Sequence, residues 1–342
     1  MRNRVAILLA LSLLMGALSA APALADHHGS GEDEIGDGGV YLALGDSVAS
    51  GFRPGEPITD DGYANVLFDK LEKKYKLDTL INLSCPGDDT IEMISGVGGA
   101  SPFGSACYGP FAQLPPGGPS QLDAAAAFLD ANPGEVELIT LTIGANDILA
   151  CDPTEPDPDA LNLCIVEQLG QIATNLPMIL GTLQAAAGDV PIVAMNYYNP
   201  NLGFWVDGPD GQALAASSLG LTTAFNGTLE AIYDAFGVHV VDVETAFKTF
   251  ETKGSKIPKN VKEICKLTLM CEKDHGEYVL SPNPLPTGPD IHPSEKGHKE
   301  IAKTFEELIK KSKVIEDDGG TYLALGDSVP AGFVPGALAT DG

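Results

Sequence analysis

Basic residues are scarce in this chain: 20 lysines and arginines stand against 47 aspartates and glutamates, a formal net charge of −27 at pH 7. A field of that sign repels phosphate backbones and anionic lipid surfaces, so nucleic acid is excluded as a partner and solubility is favoured. Several enzyme signatures are missing as well. There is no G-x-x-x-x-G-K-[ST] phosphate loop, no H-E-x-x-H zinc helix and no G-x-G-x-x-G dinucleotide fingerprint. No cysteine couple has the C-x-x-C spacing of a four-ligand zinc site. Neither a metal nor another cofactor is therefore expected. Beyond the first 25 residues no long uncharged apolar run exists, so no transmembrane anchor is expected either.

What is present begins with "MRNRVAILLALSLLMGALSAAPALA": Arg2 and Arg4, an apolar run, and the small-x-small ending Ala23-Leu24-Ala25. Residues 1–25 read as a cleaved signal peptide and the mature chain as secreted. Cleavage takes the formal charge from −27 to −29, because Arg2 and Arg4 leave and no acid precedes Asp26. Residues 26–39, "DHHGSGEDEIGDGG", read as an acidic Gly-rich linker with His27 and His28 solvated. Six cysteines follow, an even count that in an exported chain argues for disulfides. They fall into three local couples, so the expected bridges are Cys85–Cys107, Cys151–Cys164 and Cys265–Cys271.

Continuous apolar runs at Val40–Leu44, Leu80–Leu83, Leu138–Ile143, Pro191–Tyr198 and Val238–Val243 suit strands buried on both faces of a parallel sheet. Helical stretches with apolar residues three and four apart separate them, and a last one follows Pro293. This alternation predicts an α/β three-layer sandwich with a mostly parallel five-stranded sheet, one domain over residues 40–313. Two stretches break the rhythm and read as long loops, Gly96–Pro119 and Glu244–Pro289. Stapled by cysteines, both are expected to wall a substrate cleft.

Three short motifs carry chemistry. "LGDSV" sets Ser47 directly after the first strand, at the carboxyl edge of the sheet where such folds bind ligands. "GAND" follows the third strand, so the Asn146 amide can donate into the same crevice, and "PDIHP" puts His292 before the last helix with Asp290 two residues earlier. A neutral imidazole can take a serine proton, and a carboxylate can orient it. Asp46 and Asp147 read as turn residues, which disfavours a glycosidase pair. His298, well inside the helix, reads as a packing or surface residue. Ala49 replaces the second glycine of a G-x-S-x-G elbow, so the α/β-hydrolase arrangement is excluded.

In their order and strand-end placement these blocks, with "LSCPGDDT" around Gly87, resemble the SGNH hydrolases, the GDSL lipase/esterase family, over roughly residues 40–313. The resemblance implies a flavodoxin-like sandwich, Ser47 as nucleophile, His292 as base, and an oxyanion hole from the Ser47 and Gly87 amides and the Asn146 side chain. It departs at the acid, whose usual place three residues before the histidine is Pro289. Asp290 faces the same side as His292 in an extended segment and can orient it; a backbone carbonyl is the alternative. The implied activity is a secreted, monomeric serine ester hydrolase acting on a small-molecule or lipid ester. The alternatives are a carbohydrate O-deacetylase of the same fold and a non-catalytic secreted binding module.

From Asp318 onward, "DGGTYLALGDSVPAGF" repeats "DGGVYLALGDSVASGF" of the first strand and turn. Residues 314–320 read as a second acidic linker and 321–342 as the truncated start of a second such domain, with Ser328 inert.

Overall fold

The computed structural model describes residues 38–54, 59–96, 99, 119–152, 155, 157–254, 256–281 and 289–315. The expected signal peptide, most of the first linker, Cys107, most of the Gly96–Pro119 loop and the second copy with Ser328 lie outside the described residues.

Five strands, β1 (Gly39–Gly45), β2 (Leu77–Asn82), β3 (Val136–Thr142), β4 (Ile192–Met195) and β5 (His239–Val241), form one parallel sheet in the order β2-β1-β3-β4-β5. β1 lies inside this sheet, and Leu42 pairs with Ile81 on one side and Ile139 on the other. Residues Val40 to Leu44 are wholly buried, which is why this strand is continuously apolar rather than alternating. Each such large side chain contributes about 1.5–3 kcal/mol on burial. The strand order reverses between β1 and β3, so a crevice opens beyond their carboxyl ends.

The helices are α1 (Ser47–Ser50), α2 (Tyr63–Tyr75), α3 (Thr90–Ser95), α4 (Gln121–Ala131), α5 (Ala145–Leu149), α6 (Pro158–Ala187), α7 (Gly208–Ala235), α8 (Val243–Ala246), α9 (Lys259–Leu267) and α10 (Glu295–Ser312), with a 3-10 segment at Pro200–Asp207. Helix α2 buries Tyr63, Leu67, Leu71 and Tyr75, four apart along one face. Against it packs α10, where the Phe305 ring stacks on Tyr63 with centroids 5.0 Å apart. Ser294 starts α10 by accepting from the Gly297 N–H at 3.3 Å. Helices α4, α6 and α7 pack in succession.

The structure moves several expected limits. The first strand starts at Gly39, inside the expected linker. β4 is shorter than Pro191–Tyr198 because the Asn226 side chain takes over as backbone partner of Tyr197, accepting from its N–H at 2.9 Å and donating to its carbonyl at 2.8 Å. β5 stops where Asp242 turns to cap α8 through the Thr245 N–H at 2.9 Å. Glu244–Pro289 is not a plain loop: it holds most of α8, then α9, and a hairpin of β6 (Cys271–Asp274) antiparallel to β7 (Glu277–Leu280). Residues Glu272 to Glu277 are all exposed and only Cys271, Tyr278 and Leu280 turn inward, so two four-residue strands leave too short an alternation to read. Helix α6 is long and apolar enough, by length and composition, to cross a membrane. Its uncharged stretch after Glu167 does not stand out as an apolar run because Gln168, Gln171, Thr174, Asn175 and Gln184 interrupt the apolar residues. It buries Ile172, Leu176, Ile179, Leu180 and Leu183 within this domain.

Among the described residues two disulfides are seen, Cys151–Cys164 and Cys265–Cys271, and no described cysteine is free. The expected partner of Cys85, Cys107, lies outside the described residues. Cys151–Cys164 ties the exit of α5 to α6 across 13 residues, a closure of about 3 kcal/mol in the chain-entropy description. Cys265–Cys271 encloses a segment that pairs with the histidine loop: Leu269 N–H donates to the His292 carbonyl and Ser294 N–H to the Leu267 carbonyl, both at 2.9 Å.

Candidate active site

The site is assembled from the carboxyl ends of β1, β2 and β3 and from the loop before α10. β1 ends at Gly45 with φ 135°, where an added Cβ would fall 2.0 Å from the Thr142 carbonyl oxygen of β3, so only glycine lets the two strands run this close. The chain then turns at Asp46. One Asp46 oxygen accepts from the Val48 N–H at 2.9 Å and caps α1; the other accepts from the Tyr197 hydroxyl at 2.6 Å. Ser47 is the first residue of α1, and its N–H meets no acceptor among the described residues.

After β2, Cys85 N–H donates to the Gly45 carbonyl at 2.8 Å, and the chain turns through Gly87 at φ 91°. The Gly87 N–H likewise has no acceptor among the described residues. After β3, α5 carries Asn146, whose Nδ2 donates to the Asp88 carbonyl at 2.8 Å and leaves its second N–H for the crevice. Asp147, next along, turns inward and accepts from Thr90 N–H at 3.0 Å, Thr90 Oγ1 at 2.6 Å and Gln171 Nε2 at 2.9 Å.

The loop before α10 supplies the remaining groups. His292 Nε2 lies 2.8 Å from Ser47 Oγ, and His292 Nδ1 lies 2.8 Å from Asp290 Oδ1. The same Asp290 oxygen accepts from the His292 backbone N–H at 2.9 Å. Burial works to raise the Asp290 carboxyl, but the hydrogen bonds from His292 and the charge of its ring outweigh burial and hold the carboxyl below its ordinary value. An ionised carboxylate only accepts, so Nδ1 must carry a proton. In the neutral ring Nε2 is then the acceptor, and the Ser47 hydroxyl donates to it. The Phe52 ring covers the imidazole at a centroid distance of 4.4 Å.

Ser47, His292 and Asp290 thus form one chain of contacts, and the Asp88 carbonyl joins Asn146 to the turn that carries Gly87. His298 is apart from this chain. It is fully buried, neither ring nitrogen has a partner among the described residues, and burial pushes it down to about 3, so it packs as a neutral ring. Among the described residues no group of three or more His, Cys, Asp or Glu side chains is placed to hold a metal ion.

Two contributors carried no signal in the sequence. Buried Gln121, at the start of α4, accepts from the Gly45 N–H at 2.6 Å and donates to the Gly45 carbonyl at 3.0 Å and to Asp88 Oδ2 at 2.9 Å. It pins the end of β1 to the turn after β2. Tyr197 braces Asp46. Both act across large sequence separations, and nothing local marks them.

Burial pushes Asp46 up from 3.8 to about 6, against the opposing hydrogen bonds from Tyr197 and Val48 and the charge of His292. A carboxyl raised in the folded state contributes stability that is full below its unfolded value and lost as pH rises through its folded value. Between pH ~4 and ~7 the parent is therefore expected to lose stability relative to Asp46→Asn, by up to roughly 3 kcal/mol. Urea unfolding of both across that window measures the difference. Parallel stability curves would show that Asp46 keeps an ordinary value.

A family model described as "GDSL-like Lipase/Acylhydrolase family" matches residues 43–300. Comparison with the curated proteins yields no match. Among solved structures, an extracellular lipase from Streptomyces rimosus is similar at 18% identity and a TM-score of 0.47, with 79% of this chain and 99% of that one covered. A phospholipase A1 from Streptomyces albidoflavus NA297 is similar at 13% identity and a TM-score of 0.47, covering 79% and 99%. A catalytic mutant of an acetylxylan esterase from Geobacillus stearothermophilus is similar at 16% identity and a TM-score of 0.44, covering 80% and 95%. Likenesses this distant say nothing of substrate.

Proposed function

The chain belongs to the GDSL-like lipase/acylhydrolase family, and from that premise we propose that it is a secreted serine ester hydrolase working through Ser47, His292 and Asp290. One observation carries the reading: a hydroxyl, an imidazole and a carboxylate in line, with 2.8 Å at both joints. Ser47 Oγ attacks the ester carbonyl carbon as its proton passes to Nε2 of His292. The resulting imidazolium is stabilised by Asp290, whose carboxylate stays ionised. The carbonyl oxygen becomes an oxyanion and is held by the Ser47 and Gly87 N–H groups and the second Asn146 N–H. When the tetrahedral species collapses, the C–O bond to the alcohol breaks and the alkoxide leaves with the proton from Nε2. Water then repeats the sequence on the acyl-enzyme, giving up its proton to Nε2, and Ser47 is released with the carboxylic acid. Each oxyanion donor contributes about 2.7–4 kcal/mol to the transition state. No step calls for a group beyond these side chains and amides. The apolar leader at residues 1–25 and the two disulfides support export.

A fluorophosphonate probe tests the assignment, since it phosphonylates only a serine activated by a base. Peptide mapping is expected to find one equivalent of label on Ser47. Label on another residue, or none while the protein remains folded, overturns the reading.

A further inference from the structure

Three donors must converge on one oxygen in the mechanism above, and they arrive on three separate segments: the Ser47 N–H just past β1, the Gly87 N–H in the turn after β2, and the Asn146 side chain on α5 after β3. The sheet alone does not set their spacing. Pairing of β1 with β2 ends at Ala43 opposite Asn82, followed by bonds from the Leu83 N–H to the Ala43 carbonyl at 2.9 Å and from the Cys85 N–H to the Gly45 carbonyl at 2.8 Å. Gly87 lies two residues farther on, where the chain has left the sheet.

A side chain continues where β2 leaves off. Gln121 Oε1 accepts from the Gly45 N–H at 2.6 Å and its Nε2 donates to the Gly45 carbonyl at 3.0 Å, serving the two backbone groups that a neighbouring strand would otherwise serve. The other Nε2 hydrogen goes to Asp88 Oδ2 at 2.9 Å. Asp88 follows Gly87 directly, and its carbonyl accepts from Asn146 Nδ2 at 2.8 Å. Gly45 stands two residues before Ser47. A single amide thus reaches the carriers of all three donors, two directly and the third through the Asp88 backbone. Gln121 is itself held from behind. It is fully buried and is the first residue of α4, whose start is capped by Ser120 Oγ accepting from the Asp123 N–H at 3.1 Å and whose Leu122, Ala125 and Leu129 sit in the core. With its backbone on a helix and its amide tied by three hydrogen bonds, the side chain is a stiff strut.

Resting on the ester-hydrolase reading above, we propose that Gln121 is a positioning residue of the oxyanion hole: its amide fixes the separation of the Ser47 and Gly87 N–H groups and, through the Asp88 carbonyl, sets Asn146 beside them. Gln121 touches no substrate atom. Its effect falls on the step in which the ester carbonyl oxygen acquires charge, because the neutral carbonyl of the bound ester gains far less from aligned donors than the oxyanion does.

The test begins with Gln121→Glu, which keeps the length of the side chain and the acceptor for the Gly45 N–H but removes both donations and sets one carboxyl against another at Asp88. On a p-nitrophenyl ester, kcat is expected to fall roughly 10²-fold, the loss that a displacement of about 1 Å brings, with KM changed by less than about twofold. Gln121→Met, uncharged and of similar length, is expected to lose a similar factor, and melting curves confirm that the variants are folded. An alkyl trifluoromethyl ketone reads the hole without turnover: Ser47 Oγ bonds to its carbonyl carbon, the serine proton passes to His292 Nε2, and the carbonyl electron pair becomes the oxyanion. Its affinity is expected to fall by the same factor as kcat/KM. Asp88→Asn combined with Gln121→Glu rebuilds the joint with donor and acceptor exchanged, and is expected to recover about tenfold in kcat over Gln121→Glu alone. Folded single variants with kcat within about threefold of the parent, a loss that appears in KM instead, or a double variant no better than Gln121→Glu overturns the positioning role and leaves the ester-hydrolase reading standing. A parent that neither cleaves esters nor binds the ketone overturns both.

Discussion

Ser47→Ala is expected to fold like the parent and to turn over esters roughly 10⁶-fold more slowly. The size of the loss follows from the covalent route: without Oγ there is no acyl-enzyme, and only the oxyanion donors and binding contacts remain to help water. The local structure does not depend on that oxygen. Asp46 caps α1 through its own carboxylate, and Gln121 fixes Gly45 from the other side. Stability is therefore expected to change by no more than about 1 kcal/mol, the worth of one hydrogen bond. Ester turnover and thermal melting on the same preparation check both halves. A folded variant that keeps even a hundredth of parental turnover removes Ser47 from the nucleophile's role.

Asp290 carries the second large effect, and two substitutions separate its geometry from its charge. Asp290→Ala is expected to cost roughly 10⁴-fold in kcat with KM nearly unchanged, because the orienting partner of Nδ1 and the compensation for the imidazolium disappear together. Asp290→Asn is expected to cost less. A single oxygen of Asp290 meets both the ring Nδ1 and the His292 backbone N–H, and an asparagine Oδ1 in that place keeps both contacts while losing the charge. Steady-state kinetics on the three proteins decides. If Asp290→Ala costs less than tenfold, a backbone carbonyl orients the histidine and the carboxylate is incidental.

The parallel sheet was legible because its strands are closed to water on both sides, which forces unbroken apolar runs such as Val40 to Leu44. The helices were legible where one face is dry, as in α2, where Tyr63, Leu67 and Leu71 recur four apart. The hairpin β6–β7 was not, since strands of four residues with only Cys271, Tyr278 and Leu280 turned inward write too short a period to recognise. The ends of β4 and β5 were misjudged for a different reason. Val193 and Tyr197 are equally apolar to the eye, but Tyr197 has left the ladder for the Asn226 side chain, an exchange decided 29 residues away. At the site, serine, asparagine and histidine announced themselves by standing at strand ends or before a helix. Gln121 and Tyr197 did not, because a glutamine in a first helical turn and a tyrosine after a strand are common, and their importance comes only from what folding brings to them.

His292 and Ser47 are separated by 245 positions, and α10, which begins three residues after His292, docks on α2 near the other end of the sequence. On the proposed mechanism the nucleophile is synthesised 245 residues before its base, and the loop that leads into α10 brings the two together. Hydrolytic power then arrives all at once rather than growing as structure accumulates. A partly made or partly folded molecule is latent, so the moment at which activity appears serves as a clock for the completion of folding.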